Sequence, residues 1–416
     1  MNRYQILLKL LSLPVIIYTL WIAIKNKDLR YFTQRLGFNL SKAIKDRGNL
    51  IWIHAASVGE FNAAIPLIQK LNTHNTVLLT TNTPSSAARA QSIFSDSIQH
   101  YYLPIDWQMA MNKFLSKTNP QHLFIIETEL WPNLFLSCKS RNIPITIING
   151  RLSEKTVHAA KWITKRYAEC LQIVNSVLTR SDEDSRRFIS LGAKESIVKT
   201  IGNIKYYRNN NINNVKAFKA TQPYVLAAST RDDEEVLLVK AWLQSQQAIN
   251  KKHILVIVPR HPKRLTAIMT QLAAFNLDIA IRSKNEKITN ATDIYIADTF
   301  GELTSFISGA EFVIMGGSFI NKGGQNILEV AQAHKTVVFG PYMSNFQDEA
   351  ELFVTQQAGI QAKSIENLPD TIELLLNKPE VNKKFQKNAT QLIQQQDNIL
   401  ELYLTEIKQS YPELNI

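Results

Sequence analysis

Cysteine is nearly absent: the 416 residues hold two, Cys138 and Cys170, and neither sits in a C-x-x-C pair or at Cys/His ligand spacing. That excludes a disulfide scaffold, an iron-sulfur centre and a structural zinc site, and it fits a reducing compartment. No segment matches G-x-G-x-x-G or the Walker A pattern, so neither a dinucleotide oxidoreductase nor a P-loop nucleotidase is supported. Internal repeats and low-complexity arms are missing as well. Acidic residues are outnumbered, 35 against 47 basic, which leaves a formal charge of +12 and implies an anionic partner. That partner could be a nucleic acid, a lipid headgroup layer or a phosphorylated substrate. The basic residues are dispersed, and no finger, helix-turn-helix or aromatic-basic RNA module is present, so nucleic acid has no support beyond charge.

Long apolar runs are also missing. Residues 10–24 are largely apolar, with Lys9 before them and Lys25, Lys27 and Arg30 after them. The run falls short of the roughly 20 residues of an untilted membrane span, although extending it back to Ile6 brings it close. It reads as an uncleaved membrane anchor, either a tilted span or a helix lying in the interface. A signal peptide is a weaker match, because no small-x-small cleavage motif follows.

What is present is alternation. From residue 50 onward, short apolar runs alternate with amphipathic segments, the pattern of a parallel α/β unit. Strands are predicted at 50–54, 76–79, 99–103, 122–126, 145–148, 176–178 and 197–201. An Asn-rich stretch at 207–214 interrupts them and reads as a hinge. The pattern restarts at 224–228 and continues at 254–258, 277–281, 293–296, 312–315 and 336–339, with helices predicted after Pro262, at Phe300, near Asn326 and at Asn345. The predicted organisation is a membrane-associated helix at 1–30, a Rossmann-like domain at 31–206, a linker at 207–222, a second Rossmann-like domain at 223–382 and closing helices at 383–416. Two such domains would face a central cleft, with ligands at the carboxyl ends of the strands.

Chemistry-bearing residues gather at strand exits. Ser57 and Glu60 in HAASVGE have capping-box spacing; Glu60 reads as that cap or as an ionisable base at a strand-to-helix turn. Glu127 and Glu129 of ETELWPN share a face if strand geometry persists, and suit an acceptor contact or a polar scaffold better than a metal site. Lys205 ends the first unit and could reach the cleft. In the second unit, the PRHPKR run with Arg260 is a candidate phosphate or carboxylate site. The strongest local signal is Gly316-Gly317-Ser318 followed by Gly323-Gly324-Gln325-Asn326 and Glu329, a glycine-rich turn entering a helix and suited to phosphate. Glu329 could accept from a ribose diol or complete a capping box with Asn326. Asp298 to Leu303 and the Gly340-Pro341-Tyr342 turn add polar loops on the same rim.

Taken together, HAASVGE (54–60), ETELWPN (127–133), INGRLS (148–153), GNIKY (202–206), PRHPKR (259–264), DTFGEL (298–303), GGSFINKGGQNILE (316–329) and FGPYMSNFQD (339–348) resemble the Kdo (3-deoxy-D-manno-oct-2-ulosonic acid) transferases of lipopolysaccharide assembly. The resemblance implies a GT-B α/β fold and inverting transfer of Kdo from CMP-Kdo to a lipid A precursor (lipid IVA), with no cofactor and no metal. It places the enzyme at the bacterial inner membrane, its catalytic domains on the cytoplasmic face against an anionic surface. It implies Glu60 as general base and Glu127 in support on the acceptor side. Arg260, Gly317, Ser318, Gly324, Gln325, Asn326 and Glu329 would lie around CMP-Kdo, with Lys205 assisting charge neutralisation. The sequence departs from the family at Gln325 and Arg231, where the family usually has histidine; a glutamine cannot become cationic near neutral pH. The competing readings are another GT-B nucleotide-sugar transferase and a noncatalytic anionic-lipid-binding protein.

Overall fold

The computed structural model describes residues 3–40, 49–207, 216–249, 252–395 and 398–416. The chain forms two compact units, Met1–Tyr207 with Asn398–Ile416, and Arg208–Asp397. Most of the predicted hinge at 207–214 lies outside the described residues.

The first unit carries β1 (Leu50–His54), β2 (Thr76–Thr81), β3 (Gln99–Tyr102), β4 (His122–Ile126), β5 (Ile145–Gly150), β6 (Ser176–Thr179) and β7 (Val198–Thr200). They form one parallel sheet in the order β3-β2-β1-β4-β5-β6-β7. Alternate residues of β1 serve opposite faces: Ile51 and Ile53 join a core with Phe61, Leu67 and Phe124, while Leu50 and Trp52 join another with Phe114, Leu134 and Phe135. A sheet covered on both faces needs apolar residues at every strand position, which is why β1 and β4 are buried throughout and read as continuous runs.

The second unit carries β8 (Tyr224–Thr230), β9 (Ile254–Pro259), β10 (Ile279–Ile281), β11 (Ile294–Ile296), β12 (Val313–Met315), β13 (Val337–Phe339) and β14 (Gly359–Gln361), all parallel, in the order β10-β11-β9-β8-β12-β13-β14. Every predicted strand is found, within a few residues at each end. The short edge strand β14 has no sequence counterpart above, since three residues against one neighbour leave too little periodicity to read.

In each sheet the chain starts at a central strand, fills one side and then returns to build on the other, although in the second β10 takes the edge before β11 fills the place beside β9. The order therefore reverses between β1 and β4 in the first unit and between β8 and β12 in the second. Open α/β sheets bind ligands at the carboxyl ends of strands at such points.

The closing segment divides, where one block was expected. The helix Pro379–Gln394 belongs with the second unit, but Ile399–Ser410 packs into the first, its Ile399, Tyr403 and Ile407 stripe buried beside Phe61 and Leu67. At the other end, helices Arg3–Leu10 and Ser12–Lys25 meet at a 51° bend. No single helix among the described residues is long and apolar enough to cross a membrane; the bent pair passes by length and composition only. Leu13, Ile17, Trp21 and Ile24 form an exposed apolar stripe on it.

Candidate functional site

The first unit gathers its chemistry at the β1/β4 switch point. After β1 the chain turns through Ala55 and Ala56, and Ser57 caps the helix Val58–Leu71, its hydroxyl oxygen accepting the Glu60 N–H at 3.2 Å. The Glu60 carboxylate reaches back: Oε1 accepts from Ser57 Oγ at 2.9 Å and Oε2 from the Ala56 N–H at 2.8 Å. Only the Ser57 half of a capping box is made, since Glu60 takes the Ala56 N–H instead of the Ser57 N–H. This does not exclude a chemical role, because a carboxylate offers about four acceptor positions and two remain. Burial and the negative charge of Glu127 push the Glu60 carboxyl up to about 7, against the lowering effect of its two hydrogen bonds; Glu129 adds to the rise.

Glu127 leaves β4 with a positive φ of 60°, its N–H donating to Ile148 O at 2.9 Å. Its carboxylate pairs with Lys205 Nζ at 2.8 Å, both groups largely buried. Lys205 is delivered by a short turn, Ile204–Tyr206, in which Asn203 caps the Lys205 N–H and Asn149 Oδ1 accepts the Ile204 N–H at 3.1 Å. Three motif segments, INGRLS, GNIKY and ETELWPN, therefore meet at one ion pair. The structure pairs Lys205, expected to serve the donor, with Glu127 of its own unit.

Glu129 has different neighbours. Oε2 accepts from Trp131 Nε1 at 2.6 Å and Asn82 Nδ2 at 3.3 Å, and His54 Nε2 lies 3.7 Å away. Burial raises the Glu129 carboxyl, but His54, Trp131 and Asn82 together bring it below the ordinary range. Asn82 Oδ1 in turn accepts from the largely enclosed Arg35 at 3.0 Å. Sequence reading missed His54, Asn82 and Arg35; the only signal for His54 was a polar residue closing an otherwise apolar strand.

In the second unit the switch point brings β8 and β12 into backbone contact. A Cβ on Gly316 would lie 2.6 Å from Thr230 Cα, so only glycine fits there. Gly323 and Gly324 hold φ of 81° and 74°, the left-handed turn that returns the chain to Gly317, whose carbonyl accepts the Gly324 N–H at 2.8 Å. Asn345 and Tyr342 clamp this loop, the N–H of Asn345 donating to Gly323 O and that of Tyr342 to Ser318 O, each at 3.0 Å.

Several expectations for this loop need correction. The Gly317 N–H does not point to a ligand; it donates to the buried Glu234 carboxylate at 2.6 Å. Ser318 is fully buried, its hydroxyl donating to Met315 O at 2.5 Å and accepting the Gly340 N–H at 2.8 Å, so it braces the loop instead of facing the donor. The helix expected to offer N–H groups is only Leu328–Gln332, and Asn326 Oδ1 already accepts its Leu328 N–H at 3.1 Å. Glu329 is exposed and accepts from Asn326 Nδ2 at 3.1 Å. Gly324 is buried under Met343 with its N–H already given to Gly317 O, so what the loop leaves accessible is Lys322 and, in part, Gln325; Lys322 Nζ pairs with Asp232 at 2.8 Å.

Arg260 follows β9, exposed, with its N–H donating to Thr230 O at 2.9 Å and no side-chain partner among the described residues. Arg264 is not part of an open cationic run, because it is engaged in a two-pronged pair with the fully buried Glu235 at 2.7 and 3.2 Å. Arg231, following β8, keeps a buried Nε without a hydrogen-bond partner among the described residues. The carboxylates of the DTFGEL turn are engaged by residues following β10: Asp298 accepts from Ser283 and Glu302 from Arg282. The run Asp232-Asp233-Glu234-Glu235 after β8 was the unread signal for the two buried carboxylates.

Two parallel α/β units, each with polar loops at its switch point, make the GT-B fold. A solved glycosyltransferase from Rickettsia africae has the same fold, with a TM-score of 0.57 at 14% identity over 88% of this chain and 99% of that one. The family model described as 3-deoxy-D-manno-octulosonic-acid transferase (kdotransferase) matches residues 30–208. The transferase of that name from Haemophilus influenzae is 30% identical over 88% of both chains, and the one from Rickettsia bellii is 31% identical over 99% of this chain and 100% of its own. The chain belongs to the Kdo transferase family, enzymes of lipopolysaccharide biosynthesis.

Proposed function

We propose that the chain transfers Kdo from CMP-Kdo to a lipid A precursor (lipid IVA) in one inverting displacement. The observation that carries the mechanism is Glu60, a carboxylate fixed by two hydrogen bonds at the β1/β4 switch point with a proton affinity near neutrality. A base is most effective when its pKa matches the working pH. Glu60 removes the proton from an acceptor hydroxyl while that oxygen bonds to the anomeric carbon of Kdo. The bond from that carbon to the phosphate oxygen breaks, and CMP leaves with the electron pair. Glu127, paired with Lys205, supports the acceptor side.

Donor binding is assigned to the second unit, where Arg231, Arg260 and the Asp232-paired Lys322 follow β8, β9 and β12. A donor carrying both a phosphate and a carboxylate suits several separate cations. Arg231 offers a guanidinium, so donor recognition does not depend on an imidazole at that position. The exposed stripe of the N-terminal helices, with Lys9, Lys25 and Arg30 beside it, suits an anionic inner-membrane surface where the acceptor resides.

Purified protein with CMP-Kdo and lipid IVA should release CMP and yield an acceptor heavier by Kdo, read by mass spectrometry, with inverted anomeric configuration by NMR. UDP-hexoses in place of CMP-Kdo should give no product. Acceptor binding without CMP release would leave only the lipid-binding reading.

A further inference from the structure

The buried groups around Glu129 carry a role that the proposed mechanism does not use. His54 has no solvent exposure, and its Nε2 makes no hydrogen bond although it lies 3.7 Å from Glu129 Oε2. Its other nitrogen is the end of a relay. Trp52 Nε1, which can only donate, gives its hydrogen to Thr80 Oγ1 at 2.8 Å. The Thr80 hydroxyl is then free to donate to His54 Nδ1 at 2.9 Å. A neutral ring that accepts at Nδ1 carries its hydrogen on Nε2. The doubly protonated ring does so too, with Nδ1 donating to Thr80 O at 3.2 Å. Only the remaining tautomer would set a bare nitrogen against the carboxylate, and electrostatics disfavours that state.

We propose that His54 is a positioning residue for the transfer reaction, presenting Nε2–H to Glu129 and holding it as a fixed, ionised carboxylate beside Glu60. Asn82 and Trp131 hold the same oxygen, and Arg35 steadies Asn82 from the far side. The charged and titratable groups that feel one another here are Glu127 with its partner Lys205, Glu129 and Glu60, and around Glu129 also Arg35 and Tyr167. A fixed negative Glu129 raises the proton affinity of Glu60 and strengthens it as a base. The inference rests on the reading of Glu60 as the base.

The test is single-turnover transfer against pH, at saturating CMP-Kdo, for the wild type, Glu129→Gln, His54→Leu and His54→Gln, together with NMR of the intact protein labelled with ¹⁵N-histidine. His54→Leu should slow transfer on the order of tenfold to a hundredfold with KM for CMP-Kdo unchanged, as expected when a reacting group is misplaced. Glu129→Gln and His54→Leu should both move the acidic limb of the profile to lower pH. His54→Gln, which keeps an N–H donor near the Nε2 position, should recover most of the rate. The His54 resonances, assigned by their loss in His54→Gln, should show hydrogen on Nε2 and should shift in Glu129→Gln. A bare Nε2 at neutral pH, or a folded His54→Leu protein with wild-type rate and profile, would overturn the proposal. Wild-type turnover by Glu60→Gln would instead remove Glu60 as the base, and the NMR result and the His54→Leu rate would still decide the role of His54.

Discussion

Glu234 holds Gly317 in place. From a position without solvent exposure its Oε2 accepts the Gly317 N–H at 2.6 Å and the Arg231 N–H at 3.3 Å, while Oε1 accepts the Phe319 N–H at 3.1 Å. One side chain at the exit of β8 therefore sets the conformation of the loop at the exit of β12. The glycine-rich turn is shaped by a protein carboxylate from behind.

Glu234→Gln should disrupt that arrangement although it conserves size. An amide keeps one accepting oxygen and sets an NH₂ against at least one backbone N–H, leaving a buried donor unsatisfied at a cost of about 1–3 kcal/mol. Denaturant melts should show a loss of that size, and calorimetric titration should show CMP-Kdo binding weakened about tenfold or more.

Arg264→Ala should be more damaging than a surface substitution. Its partner Glu235 is fully buried and would keep only the Thr230 hydroxyl as donor. Removing one member of a buried pair costs about 3–5 kcal/mol, toward the lower end here because Arg264 is itself partly exposed. Thermal unfolding would reveal the loss, and Arg264→Ala combined with Glu235→Leu should recover part of it.

The fold was legible because a sheet buried on both faces must be apolar at successive positions, and those runs survive in the sequence with their spacing. The candidate site was legible in part. Glu60 and Glu127 stand at strand exits beside one switch point, whereas Lys205, expected to help neutralise the donor, pairs with Glu127 in its own unit. Gly317 and Ser318 were assigned to the ligand because a glycine pair after a strand signals phosphate, yet the same N–H groups can be satisfied by a carboxylate from another strand exit. Glu234 is separated from Gly317 by 83 positions, and no local pattern reports a partner at that distance. His54 and Arg35 were hidden for the same reason: their meaning lies in Glu129 and Asn82, which only the sheet order brings near.

Leu13, Ile17, Trp21 and Ile24 should carry membrane contact. They are 65, 60, 52 and 63% exposed and lie along one side of the helix Ser12–Lys25. Replacing Leu13 and Ile17 with Glu adds two charges to that stripe. Flotation with anionic phospholipid vesicles should show binding reduced, while transfer to a detergent-dispersed acceptor should remain close to the wild type. Undiminished flotation would reject this surface as the contact.

Glu60→Gln separates the cap from the base. The amide retains size and an oxygen that can accept from the Ala56 N–H or Ser57, so a purely structural role predicts a small change. A lost general base is worth on the order of 10² to 10⁴ in rate, or roughly 3 to 5 kcal/mol of transition-state stabilisation. Single-turnover transfer with saturating CMP-Kdo and acceptor should therefore fall by that factor, with donor affinity unchanged, and the wild-type acidic limb near pH 7 should disappear. Stability should move the other way. Burial and Glu127 raise the folded carboxyl from its ordinary 4.5 to about 7, so the folded state binds this proton more tightly than the unfolded one. The contribution is complete below about pH 4.5 and is lost as pH rises through 7. The melting temperature of Glu60→Gln should thus gain on the wild type between pH 5 and pH 8, a trend that a simple broken cap would not produce. A folded variant that turns over at the wild-type rate would transfer the role of base to Glu127 or Glu129.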